Sequence, residues 1–164
     1  MRAEHPQLKW LWASFAVVVL DQVAKQVAEH LLTPHQTVNV LPFFDWFLTY
    51  NTGAAFSFLA GASGWQRWLF TAIAIVISAV IVHWLTRLPR GETLTAASLA
   101  LILGGAVGNA IDRIYLGHVV DYIQVWLGSY PWPAFNIADA AISIGAVMLV
   151  LSSLTSAGKK TRTE

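Results

Sequence analysis

The chain has 164 residues, of which 56% are hydrophobic and only 12% charged, with a formal net charge of +1. That length suggests one domain, and the balanced net charge by itself says little about partners. No cysteine is present, which excludes disulfides, a thiol nucleophile and thiolate metal sites.

Apolar residues gather in four runs, about 11–32, 68–85, 94–116 and 137–154. Each approaches the roughly 20 residues that a helix needs to cross about 30 Å of hydrocarbon. The expected fold is therefore an all-α membrane protein, a single integral domain of four transmembrane helices. Its connections are external loops at 33–67 and 117–136, with a cytoplasmic tail at 155–164.

The first run, Leu11–Leu20, continues into Asp21, Lys25 and Glu29 instead of a small-residue cleavage site. It reads as a retained membrane helix and not as a signal peptide. Asp21 and Lys25 are four apart and share a helix face. They form either a plain ion pair or a polar group facing a site, since charges inside a membrane usually face the bundle interior. Glu29, one turn on, is expected in solvent.

In the first external loop, Pro34 and Pro42 bracket Thr37-Val38-Asn39-Val40, and Asp45–Tyr50 is a second β-prone run. A small extracytoplasmic β element is expected there. Phe43–Ala60 is apolar enough for a fifth span. Pro42, Asp45, Asn51 and Gly53 interrupt it, however, and an odd count would put Arg2 and Lys9 outside. Asn51-Thr52-Gly53-Ala54-Ala55-Phe56-Ser57 reads either as a turn or as a small-residue loop able to approach an extended peptide, with the Asn51 amide as a hydrogen-bond partner.

Arg87-Leu88-Pro89-Arg90-Gly91-Glu92 is a short turn between antiparallel helices. Arg2, Lys9, Arg87, Arg90, Lys159, Lys160 and Arg162 all fall on one side of a four-span chain. The positive-inside rule makes that side, with both termini, cytoplasmic.

Gly104 and Gly108 give the third run a small-residue face for close helix packing. Asn109, Asp112 and Arg113 follow as a polar face at its outer end. Arg113 is expected to reach across the bundle, its rigid donor fork suited to a carboxylate or carbonyl. Gly117 reads as a helix stop, with a short extended piece beyond it. His118 and Asp121 lack a second histidine or a Glu-rich helix nearby, so no metal site is expected, and His118 is placed at the surface. Trp46, Tyr50, Trp65, Trp68, Tyr115, Tyr122, Trp126, Tyr130 and Trp132 are expected to form an aromatic belt at the outer interface. Asn136 and Asp139 match a capping box opening the fourth helix.

Asp121 and Asp139 sit at the inner edges of apolar segments, where a charge costs roughly 2.5–3.5 kcal/mol at a helix centre even on mild insertion scales. Both fall at the outer boundary by topology. Two carboxylates brought close share a proton. The ionised one, assigned to Asp139 beside the helix dipole, deprotonates a water that attacks a carbonyl. The protonated one donates to the oxyanion and then to the leaving amine.

These residues resemble the lipoprotein signal peptidases (type II signal peptidases), bacterial inner-membrane aspartic proteases. The likeness rests on Asp21 and Lys25, Asn51–Ser57, Gly105 with Asn109–Arg113, Val120-Asp121, and Phe135-Asn136-Ile137-Ala138-Asp139. It implies that Asp121 and Asp139 are the catalytic pair. Asn51, Gly53, Asn109, Arg113 and Asn136 would line or support the site, with Asp21, Lys25 and Asp112 as polar support. The implied substrate is a prolipoprotein cut before a diacylglyceryl-modified cysteine, by an enzyme in the inner membrane with its site at the extracytoplasmic face. No cofactor, metal or nucleic acid is implied; membrane lipids are partners and the chain is taken as a monomer. Rival readings are a proton channel or transporter, a serine–lysine protease using Lys25, and an assembly subunit packed through Gly104 and Gly108.

Overall fold

The structure is a computed structural model that describes residues 5–53 and 64–160. Arg2 and Arg162 of the basic side, and Ala54–Ser57 of the loop motif, lie outside the described residues. After a 3-10 turn at Leu8–Trp10 come α1 (Leu11–Leu31), β1 (Thr37–Leu41), β2 (Phe44–Asn51), α2 (Trp65–Arg87), α3 (Thr93–Tyr115), β3 (Val119–Leu127), β4 (Tyr130–Pro131) and α4 (Ile137–Lys160). All four helices are long and apolar enough to cross a membrane.

The centre of the bundle is α3, because it is the helix with room for neighbours. Ala96, Ala100, Gly104, Gly105, Ala106, Gly108 and Ala110 are buried along it. Over its most apolar stretch 61% of the residues are buried, against 22% in each of the other three helices. A Cβ added at Gly104 would lie 2.8 Å from the Ser14 carbonyl oxygen of α1, and one at Gly105 would collide with the Ala138 carbonyl of α4. The small-residue face thus faces two helices at once. Hydroxyls stitch the same seams: Ser14 Oγ donates to the Ala100 carbonyl at 2.9 Å, and Thr95 and Ser152 share a hydrogen bond of 2.8 Å between α3 and α4. Arg67 donates across to the Ile114 carbonyl, which lets α2 begin three residues before its apolar run.

The α2–α3 turn is braced by the N-terminal segment. Gln7 Nε2 donates to the Pro89 and Arg90 carbonyls at 2.6 and 2.9 Å. Lys9, Arg87 and Arg90 therefore share one end of the bundle. The opposite end carries a four-stranded antiparallel sheet in the order β1-β2-β3-β4. The β element expected in the first loop is thus present as β1 and β2. The second loop enlarges it: the short extended piece beyond Gly117 is a nine-residue strand, with Asn51 opposite Val119 and Thr49 opposite Asp121.

Gly117 adopts φ +87° and ends α3 in the left-handed conformation that glycine takes without strain. The chain then turns back under the sheet, and Val119–Tyr122 are all buried. Side chains alternate along a strand. Val120 and Tyr122 pack with Ala28 of α1 and Leu48 of β2, which turns Val119 and Asp121 to the other face.

Two expectations are corrected. Trp65, Trp68, Tyr115 and Tyr130 are exposed, as interfacial anchors must be, but Tyr122 is buried and Trp46 packs against the same cluster. Trp126 donates its indole N–H to buried Asp45 at 2.6 Å. His118 is half-buried, its ring 4.5 Å from that of Tyr50.

Gly105→Val should lower the thermal midpoint of purified protein in detergent. The added side chain meets backbone that cannot swing aside, a strain of at least about 1–3 kcal/mol. Gly91→Ala, where a Cβ meets nothing within 4 Å, should leave the midpoint in place.

Candidate active site

The sheet end of the bundle buries a lysine. Lys25 Nζ lies 2.7 Å from Asp21, 2.8 Å from Asp112 and 3.0 Å from Asn109 Oδ1. An ammonium has three donors, and all three are engaged. The side chains of Lys25, Asp21 and Asp112 are at most 3% exposed, so this is an interior ion triad. Each acid also binds backbone of another element. Asp21 Oδ1 accepts from the Ala138 N–H at 2.9 Å, at the start of α4. Asp112 Oδ2 accepts from the Val120 N–H at 3.1 Å, in β3. A plain intrahelical pair was one reading of Asp21 and Lys25; the structure extends it to α3, α4 and β3. Gln22, which sequence reasoning passed over, donates to Asp112 Oδ1 at 2.8 Å and to the Gly108 carbonyl at 3.2 Å. An uncharged polar residue beside Asp21 in an apolar helix was the available signal.

Above the triad are two asparagines. Asn109 accepts from Lys25 and donates from Nδ2 to Asp139 Oδ1 at 2.7 Å. Asn136 caps α4: its Oδ1 accepts the Asp139 N–H at 2.9 Å, and its own N–H reaches Asp139 Oδ2 at 3.4 Å. That is the expected capping box. Because the oxygen is committed to the helix, the amide nitrogen points the other way. It donates to Asp121 Oδ1 at 2.7 Å, with the Val120 carbonyl and Asn109 Oδ1 each at 3.2 Å. One buried side chain therefore joins both aspartates.

Asn51, at the end of β2, donates to the other oxygen of Asp121 at 3.2 Å. Its own side-chain oxygen accepts the Gly53 N–H at 2.9 Å, folding the chain into a tight turn. Arg113 then reaches across, as expected, and takes a carbonyl: its guanidinium donates to Gly53 O at 3.1 Å and to Asn109 O at 3.4 Å, and lies over the Phe70 ring of α2. The residues singled out in the sequence (Asp121, Asp139, Asn51, Gly53, Asn109, Arg113 and Asn136, with Asp21, Lys25 and Asp112 behind them) thus form one continuous polar network. Among the described residues no cluster of three His, Asp or Glu side chains is arranged to hold a metal.

The two aspartates differ in surroundings. Asp121 is 2% exposed, whereas Asp139 keeps partial access. The Asp121 carboxyl is pushed up from the ordinary 3.8 to about 7, first by burial and second by the negative charge of Asp139. Hydrogen bonds from Asn51 and Asn136 and the charge of Lys25 pull the other way without cancelling it. Burial and the neighbouring charge thus let Asp121 keep its proton to a higher pH than a free aspartate would.

Comparison with known proteins identifies the family. The family model described as signal peptidase (SPase) II matches residues 13–155. The chain is 57% identical over 152 residues to a lipoprotein signal peptidase of Pseudomonas putida, covering 92% of this chain and 89% of that one. It is 58% identical over 157 residues to one from Pseudomonas fluorescens, covering 94% and 91%. A solved structure described as a bacterial membrane enzyme at 2.3 Å resolution superposes with a TM-score of 0.84 and 29% identity, over 93% of this chain and 91% of that one.

Lys25→Met should destabilise the purified protein by about 3–5 kcal/mol, because it leaves Asp21 and Asp112 buried without their cation. The triple variant Asp21→Asn, Lys25→Met, Asp112→Asn should recover most of the loss in the same thermal-unfolding assay.

Proposed function

Since the chain belongs to the signal peptidase II family and is a peptidase, we infer that it removes signal peptides from diacylglyceryl-modified prolipoproteins. In this reading it cuts before the lipidated cysteine by a two-aspartate mechanism without a cofactor. The observation that carries the mechanism is the single Asn136 side chain that holds Asp121 with one end and starts the helix of Asp139 with the other.

The roles follow from the surroundings. Asp121, the more buried acid, keeps the shared proton. Asp139 sits at a helix N-terminus, accepts from Asn109 and the Asn136 N–H, and is the ionised member. Asp139 takes a proton from water as the oxygen attacks the scissile carbonyl carbon, and Asp121 gives its proton to the carbonyl oxygen. The tetrahedral diol then collapses. Asp139 passes the water's proton to the amine nitrogen, Asp121 recovers its own from a hydroxyl, and the C–N bond breaks. Arg113 and Asn51 position the first-loop backbone at Gly53 beside the pair, where an extended substrate would lie.

Lys9, Arg87 and Arg90 lie at the end opposite the sheet, which supports cytoplasmic termini and an extracytoplasmic site in a bacterial inner membrane. A proton channel would spread titratable groups through the membrane depth, whereas here they gather at one end. A serine–lysine protease needs the Lys25 amine beside a serine hydroxyl, whereas here it is held by Asp21, Asp112 and Asn109. The enzyme acts as a monomer in this reading, with membrane lipid around it.

Asp121→Asn and Asp139→Asn should each lower cleavage of a diacylglyceryl-modified prolipoprotein in detergent by at least about 10³-fold, with expression and thermal midpoint retained. Chelators and serine reagents should have no effect. Full activity in either variant would remove the dyad.

The pH profile should also report the pair. The working form holds one proton, which leaves as pH rises through about 7, so kcat/KM should fall about tenfold per pH unit above that point. Asn51 donates to the charged form of Asp121, so Asn51→Ala should move this alkaline limb to higher pH. A limb that stays in place or moves down contradicts the assignment.

A further inference from the structure

A cavity lies at the end of the bundle away from the aspartates. It encloses about 300 Å³ between the end of α2, the start of α3 and the second half of α4, lined by Trp84, Leu88, Glu92, Thr95, Val150 and Ser153 among others. Most of the lining is apolar. The exception is a polar strip of the lining, where Thr95 donates from Oγ1 to Glu92 Oε2 at 3.0 Å and also meets Ser152 of α4. Among the described residues Glu92 is the one carboxylate at this end, which otherwise carries Lys9, Arg87 and Arg90.

The distance from the active site is informative. From Asp139 to Ser152 the chain climbs thirteen residues of a single helix, about 20 Å at 1.5 Å per residue. A signal peptide carries an apolar core of roughly 7–15 residues preceded by a positively charged segment, so its core as a helix spans about 10–22 Å. A precursor held with its scissile bond at Asp139, and lying along α4, brings the junction between its basic segment and its core to the level of this cavity. An apolar pocket with a half-buried carboxylate in its lining suits that junction. The first apolar side chains of the core enter the pocket, and a lysine or arginine just before them reaches Glu92.

We propose that this cavity is an exosite for the cytoplasmic end of the signal peptide, with Glu92 recognising its basic segment and the α4 spacing setting the core length that is processed best. The proposal rests on the reading of the active site given above. It makes Glu92, Trp84 and Val150 specificity determinants about 20 Å from the chemistry.

The test uses the full-length enzyme in proteoliposomes with a diacylglyceryl-modified prolipoprotein whose basic segment carries two lysines, and a second substrate with those lysines changed to glutamate. For the lysine substrate, Glu92→Lys should raise KM five- to tenfold with kcat held, and Glu92→Gln should raise it about threefold. The glutamate substrate should reverse the order, being cleaved with lower KM by Glu92→Lys than by wild type. Val150→Trp, which fills the pocket without touching the charge, should raise KM for both substrates. In wild type, lengthening the core by four residues should raise KM as well. An unchanged KM in both Glu92 variants, or an equal rise for both substrates, overturns the exosite while leaving the active site standing. Failure of wild type to cleave either substrate, with the lipid attached, overturns the active-site reading and the exosite with it.

Discussion

A single ammonium organises the sheet end of this protein. Lys25 uses its three donors on Asp21, Asp112 and Asn109, and each of those acceptors then fixes a different piece of chain. Asp21 receives the first turn of α4, Asp112 receives β3, and Asn109 donates to Asp139. A buried ion group contributes little to net stability, because desolvation offsets the attraction. What it supplies here is position. Two carboxylates and one cation leave the interior with an excess negative charge, which the backbone N–H groups of Ala138 and Val120 help to balance. Gly108 is part of the same arrangement, since a Cβ there would come within 2.7 Å of Asp21 Oδ2.

The candidate dyad is one layer above that triad and is separated from it by amides. Asn109 and Asn136 are neutral, so they orient both aspartates without discharging them. Had Lys25 touched Asp139 directly, the ion pair would have held that carboxylate and weakened it as a base toward water. Burial acts on Asp121 and lets it keep a proton that a free aspartate would lose.

Much of this was legible in the sequence, and the parts that were not share a cause. Helix positions follow from apolar runs. Their ends shift where a polar residue finds a partner, as Arg67 does at the start of α2. The capping box at Asn136 and Asp139 is a local pattern and was readable as such. The pairing of β3 with β2 is not local: Asn51 and Val119 are remote in sequence, so the extended piece beyond Gly117 was readable but its length and its partner strand were not. The same limit explains Trp46 and Tyr122, because an aromatic ring suits a membrane interface and a packed cluster equally well. Gln22 and Asp45 went unrecognised because their roles depend on partners brought by other elements, Asp112 and Gly108 for one, Asn39 and Trp126 for the other.

The double duty of Asn136 carries a consequence for biogenesis. The amide that holds Asp121 is oriented only while its oxygen caps α4, and α4 is the last helix of the described chain. A nascent polypeptide with three helices inserted has Asp121 but lacks both the second acid and the group that aims the first. Hydrolytic competence under the proposed mechanism therefore arrives in one step, on completion of the bundle, and a half-assembled copy is harmless to its neighbours in the bilayer.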